Sequence, residues 1–260
     1  MTDDSRSIEV EVEVPGTPEE VWAAVATGPG IGSWFVPSTV EEREGGETVS
    51  QFGPGESMTV RGRVRVWDPP RRVVFDGGDA GAALAFEWLV EARDGGTCVV
   101  RLVNSGFGSG EEWDDQFDGT DAGWRMFLHN LELHRRYFPG QVAVAVQPMR
   151  TATVGLDEAW DTLTGALGIS TPSSEGDQVA AGPDAPTALT GTVERAVPRM
   201  LTLRIREPGP GTALVAVEGT DGQAGISVWF WLYGADAGDR AAALLEGWQG
   251  WLAELFPMPG

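Results

Sequence analysis

Residues 59–75, TVRGRVRVWDPPRRVVF, read as two strands joined by a tight turn. Val60, Gly62, Val64 and Val66 alternate with Arg61, Arg63 and Arg65, the period-two pattern of a strand with one wet face. Pro69 and Pro70 interrupt the pattern and mark the turn, after which Arg72 to Asp76 resumes it. Working outward, Val49 to Phe52, Ala83 to Ala92 and Thr97 to Asn104 are further strand candidates, and residues 8 to 14, IEVEVEV, alternate apolar and acidic. Gly-rich and Pro-rich turns separate them, which predicts antiparallel meander pairing.

The same stretch anchors an internal repeat. Thr59-Val60-Arg61-Gly62-Arg63-Val64, with Pro70-Arg71 after it, matches Ala188-Leu189-Thr190-Gly191-Thr192-Val193, with Pro198-Arg199 after it. Upstream, Glu19-Glu20-Val21-Trp22 matches Asp157-Glu158-Ala159-Trp160; downstream, Gly123-Trp124 with Leu128 and Leu131 matches Gly247-Trp248 with Leu252 and Leu255. Three anchors in one order predict two copies of one plan: strand, short helix, several strands, long terminal helix. From Trp22 to Gly62 is 40 residues and from Trp160 to Gly191 is 31, so the second copy lacks about nine residues there. The missing piece corresponds to the region Gly28-Pro29-Gly30-Ile31-Gly32-Ser33-Trp34-Phe35. The domain boundary is expected near Pro139-Gly140, giving domains 1–140 and 141–260.

Thr17 followed by Pro18 and two glutamates marks a helix start. Trp113, Phe117, Trp124, Leu128, Leu131 and Phe138 share one helical face, and Leu244, Trp248, Trp251, Leu252 and Leu255 form the stripe of the mate. Gly119, Thr120 and Gly123 weaken the first of these helices, so its regular part is expected to start near Asp121.

Composition excludes several chemistries. The net charge is −21, and all 18 basic residues are arginine, which removes Schiff-base lysines and the P-loop lysine. So acidic a chain repels phosphate backbones and anionic headgroups, so no nucleic-acid or membrane partner is expected. One cysteine, Cys98 among valines, reads as a buried strand residue and not as a disulfide or zinc ligand. The polar, acidic start MTDDSRS and the lack of a long apolar run make cytoplasmic the expected location.

These residues together identify a family resemblance. The order β-α-α-β-β-β-β-β-β-α, the opening Pro-x-Glu-Val-Trp, the stretch Gly62 to Phe75 and the late Gly-Trp-x3-Leu-x2-Leu resemble the SRPBCC (START/Bet v 1-like) superfamily, within it the branch named after the activator of Hsp90 ATPase. The resemblance covers residues 8 to 138 and is looser over 142 to 256, a degenerate sister domain without the second short helix. It implies an α+β helix-grip fold in two copies: a curved antiparallel sheet around a long C-terminal helix, with a cavity between them that holds an apolar or amphipathic small molecule. Copy one supplies aromatics for such walls: Trp34, Phe35, Phe52 and Phe75, then Phe86, Trp88, Trp124 and Phe127, with Leu128 beside them on the helix. Trp34 and Phe35, in the segment absent from copy two, are expected at the cavity mouth.

The polar candidates are fewer. Arg61, Arg63 and Arg65 would suit an anionic ligand if they faced the cavity, but the alternation favours valines inward and arginines in solvent. Setting Asp114 as the first position of a calcium loop puts Arg125 where a bidentate Glu is needed, so no metal is expected; Arg125 is instead expected to pair with Asp121. Glu87 points away from the cavity if Phe86 and Trp88 point into it. Gly106-Phe107-Gly108-Ser109-Gly110 has its serine misplaced for a nucleophile elbow, and His129 and His134, off the apolar stripe, read as partly exposed. No catalytic residue and no cofactor are assigned. The sequence thus predicts a binding protein for a small hydrophobic molecule, with a polyketide cyclase/aromatase-like enzyme and an Hsp90-type co-chaperone or other protein-interaction module as alternatives; it names no protein partner.

Overall fold

The computed structural model describes residues 6–53, 55–77, 85–107, 111–220 and 222–257, and for 111–118 the backbone path alone. The chain divides into two compact units, Met1–Val142 and Ala143–Gly260. Both have the helix-grip fold.

In the first unit, β1 (Arg6–Pro15) leads into α1 (Pro18–Ala26) and α2 (Gly28–Gly32). The strands β2 (Ser38–Val40), β3 (Glu47–Gln51), β4 (Thr59–Asp68), β5 (Arg72–Asp76), β6 (Ala85–Arg93) and β7 (Thr97–Phe107) follow, then the long α3 (Glu111–Tyr137). They form one antiparallel sheet in the order β1-β7-β6-β5-β4-β3-β2, with α3 packed along β1. Thr17 caps α1 through a capping box: its hydroxyl accepts from the Glu20 amide at 3.3 Å, and the Glu20 carboxylate accepts from the Thr17 amide at 3.1 Å.

Two elements differ from expectation. The short edge strand β2 is missing from the strand candidates read residue by residue, because three residues carry no period, although the six strands between the helices in the resembled order include it. The helix α3 starts at Glu111, ten residues before Asp121. Two glycines cost a helix only about 1 kcal/mol each, and acids crowded at its N-terminus, Glu111, Glu112, Asp114 and Asp115, complement the positive end of the dipole. Any calcium role for that acidic run lies outside the described residues, since the side chains of 111–118 are not described. Arg125 does bond Asp121, at 2.8 and 3.1 Å.

In the second unit, β8 (Val144–Val146), β9 (Met149–Ala152) and a single helix α4 (Leu156–Leu167) precede β10 (Gln178–Ala180), β11 (Thr190–Val197), β12 (Met200–Glu207), β13 (Gly211–Thr220), β14 (Gln223–Leu232) and α5 (Ala237–Leu255). The sheet order is β10-β11-β12-β13-β14, with β8 and β9 both pairing β14. Leu163, Leu167, Leu203, Val215, Val228, Phe230, Trp248 and Leu252 lie in a single apolar core.

The repeat extends to irregularities. Adding a Cβ to Gly62 would overlap the Asp76 carbonyl of the next strand, and one on Gly191 would come within 2.6 Å of the Arg204 carbonyl. Three residues after each glycine the ladder slips, between Val64 and Val66 in one copy and between Val193 and Arg195 in the other. The bulged residue pairs with the strand opposite in both: Arg65 with Asp76, and Glu194 with Arg204 at 2.6 Å. The charges are exchanged but the geometry is kept.

Candidate functional site

The first unit encloses a cavity of about 430 Å³ between the sheet and α3. Its walls begin with the helical segment that the second unit lacks. A Cβ on Gly30 would overlap the Ala23 carbonyl, so glycine lets α2 lie directly on α1. Thr27 joins the two helices, donating to the Ala23 carbonyl at 2.7 Å and accepting from the Gly30 amide at 3.1 Å. The chain then delivers Trp34 and Phe35. Trp34 is fixed twice: its indole N–H donates to the Ala24 carbonyl at 2.9 Å, and its own carbonyl accepts from Asn130 Nδ2 of α3 at 2.8 Å.

Phe35 is the hub of an aromatic cluster, with ring centroids 4.6 Å from Phe127, 5.0 Å from Trp124 and 5.6 Å from Phe52. Trp88 lies 5.6 Å from Trp34 and 5.7 Å from Trp124. Phe75 and Phe86 are paired across β5 and β6, and both line the cavity. Eight of the nine residues named from the sequence therefore meet around one space.

Two expectations are corrected. Leu128 does not line the cavity: it lies 100° around the helix from Phe127 and is buried in the core. Trp34, 0 % exposed, and Phe35, 9 % exposed, are wall residues and not mouth residues, because the hydrogen bonds and ring contacts above draw them inside. Val60, 48 % exposed, is a lining residue on the open side.

The polar lining consists of Ser38, Thr48, Ser50, Asp76, Asn104 and Thr120. The Ser38 and Ser50 hydroxyls are 3.1 Å apart. The Asp76 carboxylate is engaged by Arg65. Asn104, wholly buried, donates from Nδ2 to the Ala85 carbonyl at 3.2 Å and accepts at Oδ1 from the Trp124 indole N–H at 3.1 Å. No cation is among the described lining residues.

Sequence reasoning missed this polar set. One signal was available: Cys98, Val100, Leu102 and Asn104 occupy one face of β7, and Asn104 breaks that apolar row. The outward groups behave as expected. Arg61 and Arg65 are each 57 % exposed at the side chain, and Glu87 turns away to pair with Arg72 at 2.6 Å.

Beneath the cavity, α3 is locked to the β1–α1 turn. Arg135, buried, donates from Nε to the Pro15 carbonyl at 3.2 Å and pairs through Nη2 with Glu20 at 3.1 Å. His134 beside it is buried, contrary to the expectation of partial exposure. Desolvation first, and the neighbouring guanidinium second, push its pKa down to about 4. His129 sits 3.4 Å from Glu132. Cys98 is buried, and burial raises its thiol pKa. Among the described residues no group of His, Cys, Asp or Glu could hold a metal ion, and no helix is long and apolar enough to cross a membrane.

Residues 15–134 match the family model described as activator of Hsp90 ATPase homolog 1-like protein. The first unit is an AHSA1-like domain of the SRPBCC superfamily. Comparison with curated proteins returns no match. Among solved structures, the Aha1 dimer from Colwellia psychrerythraea is 17% identical, with 52% of this chain and 99% of that one covered at a TM-score of 0.45. The di-domain ARO/CYC BexL of the BE-7585A biosynthetic pathway is 13% identical, covering 98% of this chain and 100% of its own at 0.47. DynU16 of the dynemicin biosynthetic locus is 20% identical, covering 96% and 97% at 0.41. At these identities no neighbour's activity transfers to this chain.

Proposed function

We propose that the AHSA1-like domain binds one small, largely apolar molecule in its cavity, and that the second domain is a structural sister. The supporting observation is the cavity itself: about 430 Å³, within the range of small-molecule pockets, walled by eight aromatic side chains with a few polar groups among them. An empty apolar hole of this size destabilises a domain through its missing contacts, so its upkeep calls for an occupant. The binding is assigned to the cytoplasm, a setting that suits a chain whose single thiol is free and buried.

The test is native mass spectrometry of the protein purified from its source organism. A co-purified small molecule, lost on denaturation and absent from a Phe35→Asp variant, is the expected result. An unliganded mass, together with no change in melting temperature against a panel of apolar compounds, sinks the proposal.

Asp76 and the Ser38–Ser50 hydroxyl pair favour a second reading, a cyclase/aromatase-like enzyme, because they put proton-accepting oxygens on the cavity wall. That reading requires Asp76→Asn to abolish turnover of a bound carbonyl compound while leaving its affinity unchanged.

A further inference from the structure

We infer that Asn104 is the specificity-determining contact of the cavity, selecting a neutral aromatic ligand that carries a carbonyl oxygen. The inference rests on the ligand-binding reading above and sharpens it. An indole N–H can only donate and a peptide carbonyl can only accept, so Trp124 and Ala85 fix the orientation of the Asn104 amide without ambiguity. Those two bonds use one N–H and one lone pair. A primary amide has two of each, so one N–H of Nδ2 and one lone pair of Oδ1 remain, on a fully buried side chain that lines the cavity. A buried N–H left unpaired is the rarer and costlier deficit, whereas an under-used carbonyl oxygen is tolerated more often. The matching ligand group is therefore an acceptor.

Asn104 is not needed merely to satisfy a tryptophan. In the second unit the equivalent Trp248 indole N–H is buried with no hydrogen-bond partner among the described residues, and the strand beneath it offers Val228 and Phe230, with Phe230 at a ring distance of 5.1 Å. The fold tolerates an orphan indole N–H there. In the first unit a buried asparagine stands in an otherwise apolar row between Ile8 of β1 and Phe86 of β6. The remaining walls define the rest of the ligand: aromatic faces favour a flat ring system, and a lining that among the described residues holds no cation, with Asp76 in it, disfavours an anion.

Equilibrium dialysis of the full chain against three bicyclic probes tests this: 2-acetylnaphthalene, its hydrocarbon counterpart 2-ethylnaphthalene, and 2-naphthoate. The ketone should bind about tenfold more tightly than the hydrocarbon, the value of one net hydrogen bond, and naphthoate most weakly. Asn104→Leu should bring the ketone-to-hydrocarbon ratio close to one while hydrocarbon binding persists. Trp124→Phe keeps a ring but frees the amide to rotate, and should lower the ratio severalfold without perturbing the fold. Equal binding of ketone and hydrocarbon to the unaltered protein, a ratio unchanged in both variants, or tightest binding of naphthoate overturns the role of Asn104 while leaving the cavity a binding site. Binding of none of the three overturns the ligand-binding reading, and this inference with it.

Discussion

Trp124 and Trp248 occupy the same place in two copies of one fold and have different surroundings. Trp124 faces a cavity, with its indole N–H held by Asn104 and rings of Phe35, Phe86 and Trp88 around it. Trp248, 0 % exposed, is packed among Phe230, Trp251 and the aliphatic core. The difference traces to the inserted segment of the first copy. Where Gly28 to Phe35 adds a second helix and two aromatic walls, a space is kept open; where the segment is missing, the tryptophan itself fills the core. One scaffold thus surrounds the same helix tryptophan with cavity walls in one copy and with buried apolar core in the other.

The sharpest way to break this comparison is to truncate both tryptophans. Trp248→Ala should cost about 3–5 kcal/mol, the range for deleting a packed aromatic, whereas Trp124→Ala, whose ring already borders a void, should cost clearly less. Urea denaturation of both variants measures it, and equal losses would mean that the first cavity is not open in solution. Next come the paired glycines. Gly62→Ala should destabilise by about 2–3 kcal/mol, as overpacking against backbone does, and Gly191→Ala by less because its approach to the opposite carbonyl is looser. A neutral Gly62→Ala would show that the bulge does not depend on the missing side chain.

Acid should also separate the units, since both histidines belong to the first. His134 has a folded pKa of about 4 against an ordinary value near 6.5, so the unfolded chain takes up the proton first as pH falls. The stability held by neutral His134 is complete above pH 6.5 and is lost as pH falls toward 4. Between pH 7 and 5 this amounts to about 2 kcal/mol. His134→Gln should flatten that stretch of the stability profile, and a variant with the wild-type slope would remove His134 as its source. The smallest effect concerns the exchanged ion pair. Arg65→Glu alone should cost below about 1 kcal/mol, and adding Asp76→Arg should restore it, because the second copy already holds the reversed arrangement.

Much of the fold was legible because the first sheet is wet on one face. IEVEVEV and VRGRVRV show period two plainly, and Thr17-Pro18 with two glutamates specifies a capped helix. Legibility failed where that asymmetry disappears. The last turns of α3 are enclosed on several sides, with Leu131, Leu133, His134 and Arg135 all buried, so a single apolar stripe misjudged His134. On β14 consecutive positions from Ile226 to Leu232 are buried, and alternation says nothing there. The aromatic walls could be named from the sequence because large rings announce themselves. The polar anchor could not, since Asn104 acquires its role only when folding places Trp124 against it.

The clustering of tryptophans in the cavity has an optical consequence. Trp34, Trp88 and Trp124 stand in a chain with centroids 5.6 and 5.7 Å apart, at steep interplanar angles. Indoles so close and so inclined couple their electronic transitions, giving a circular dichroism couplet whose sign follows their mutual orientation. A guest that shifts Trp124 alone would change that couplet, so the domain carries its own label-free reporter of occupancy.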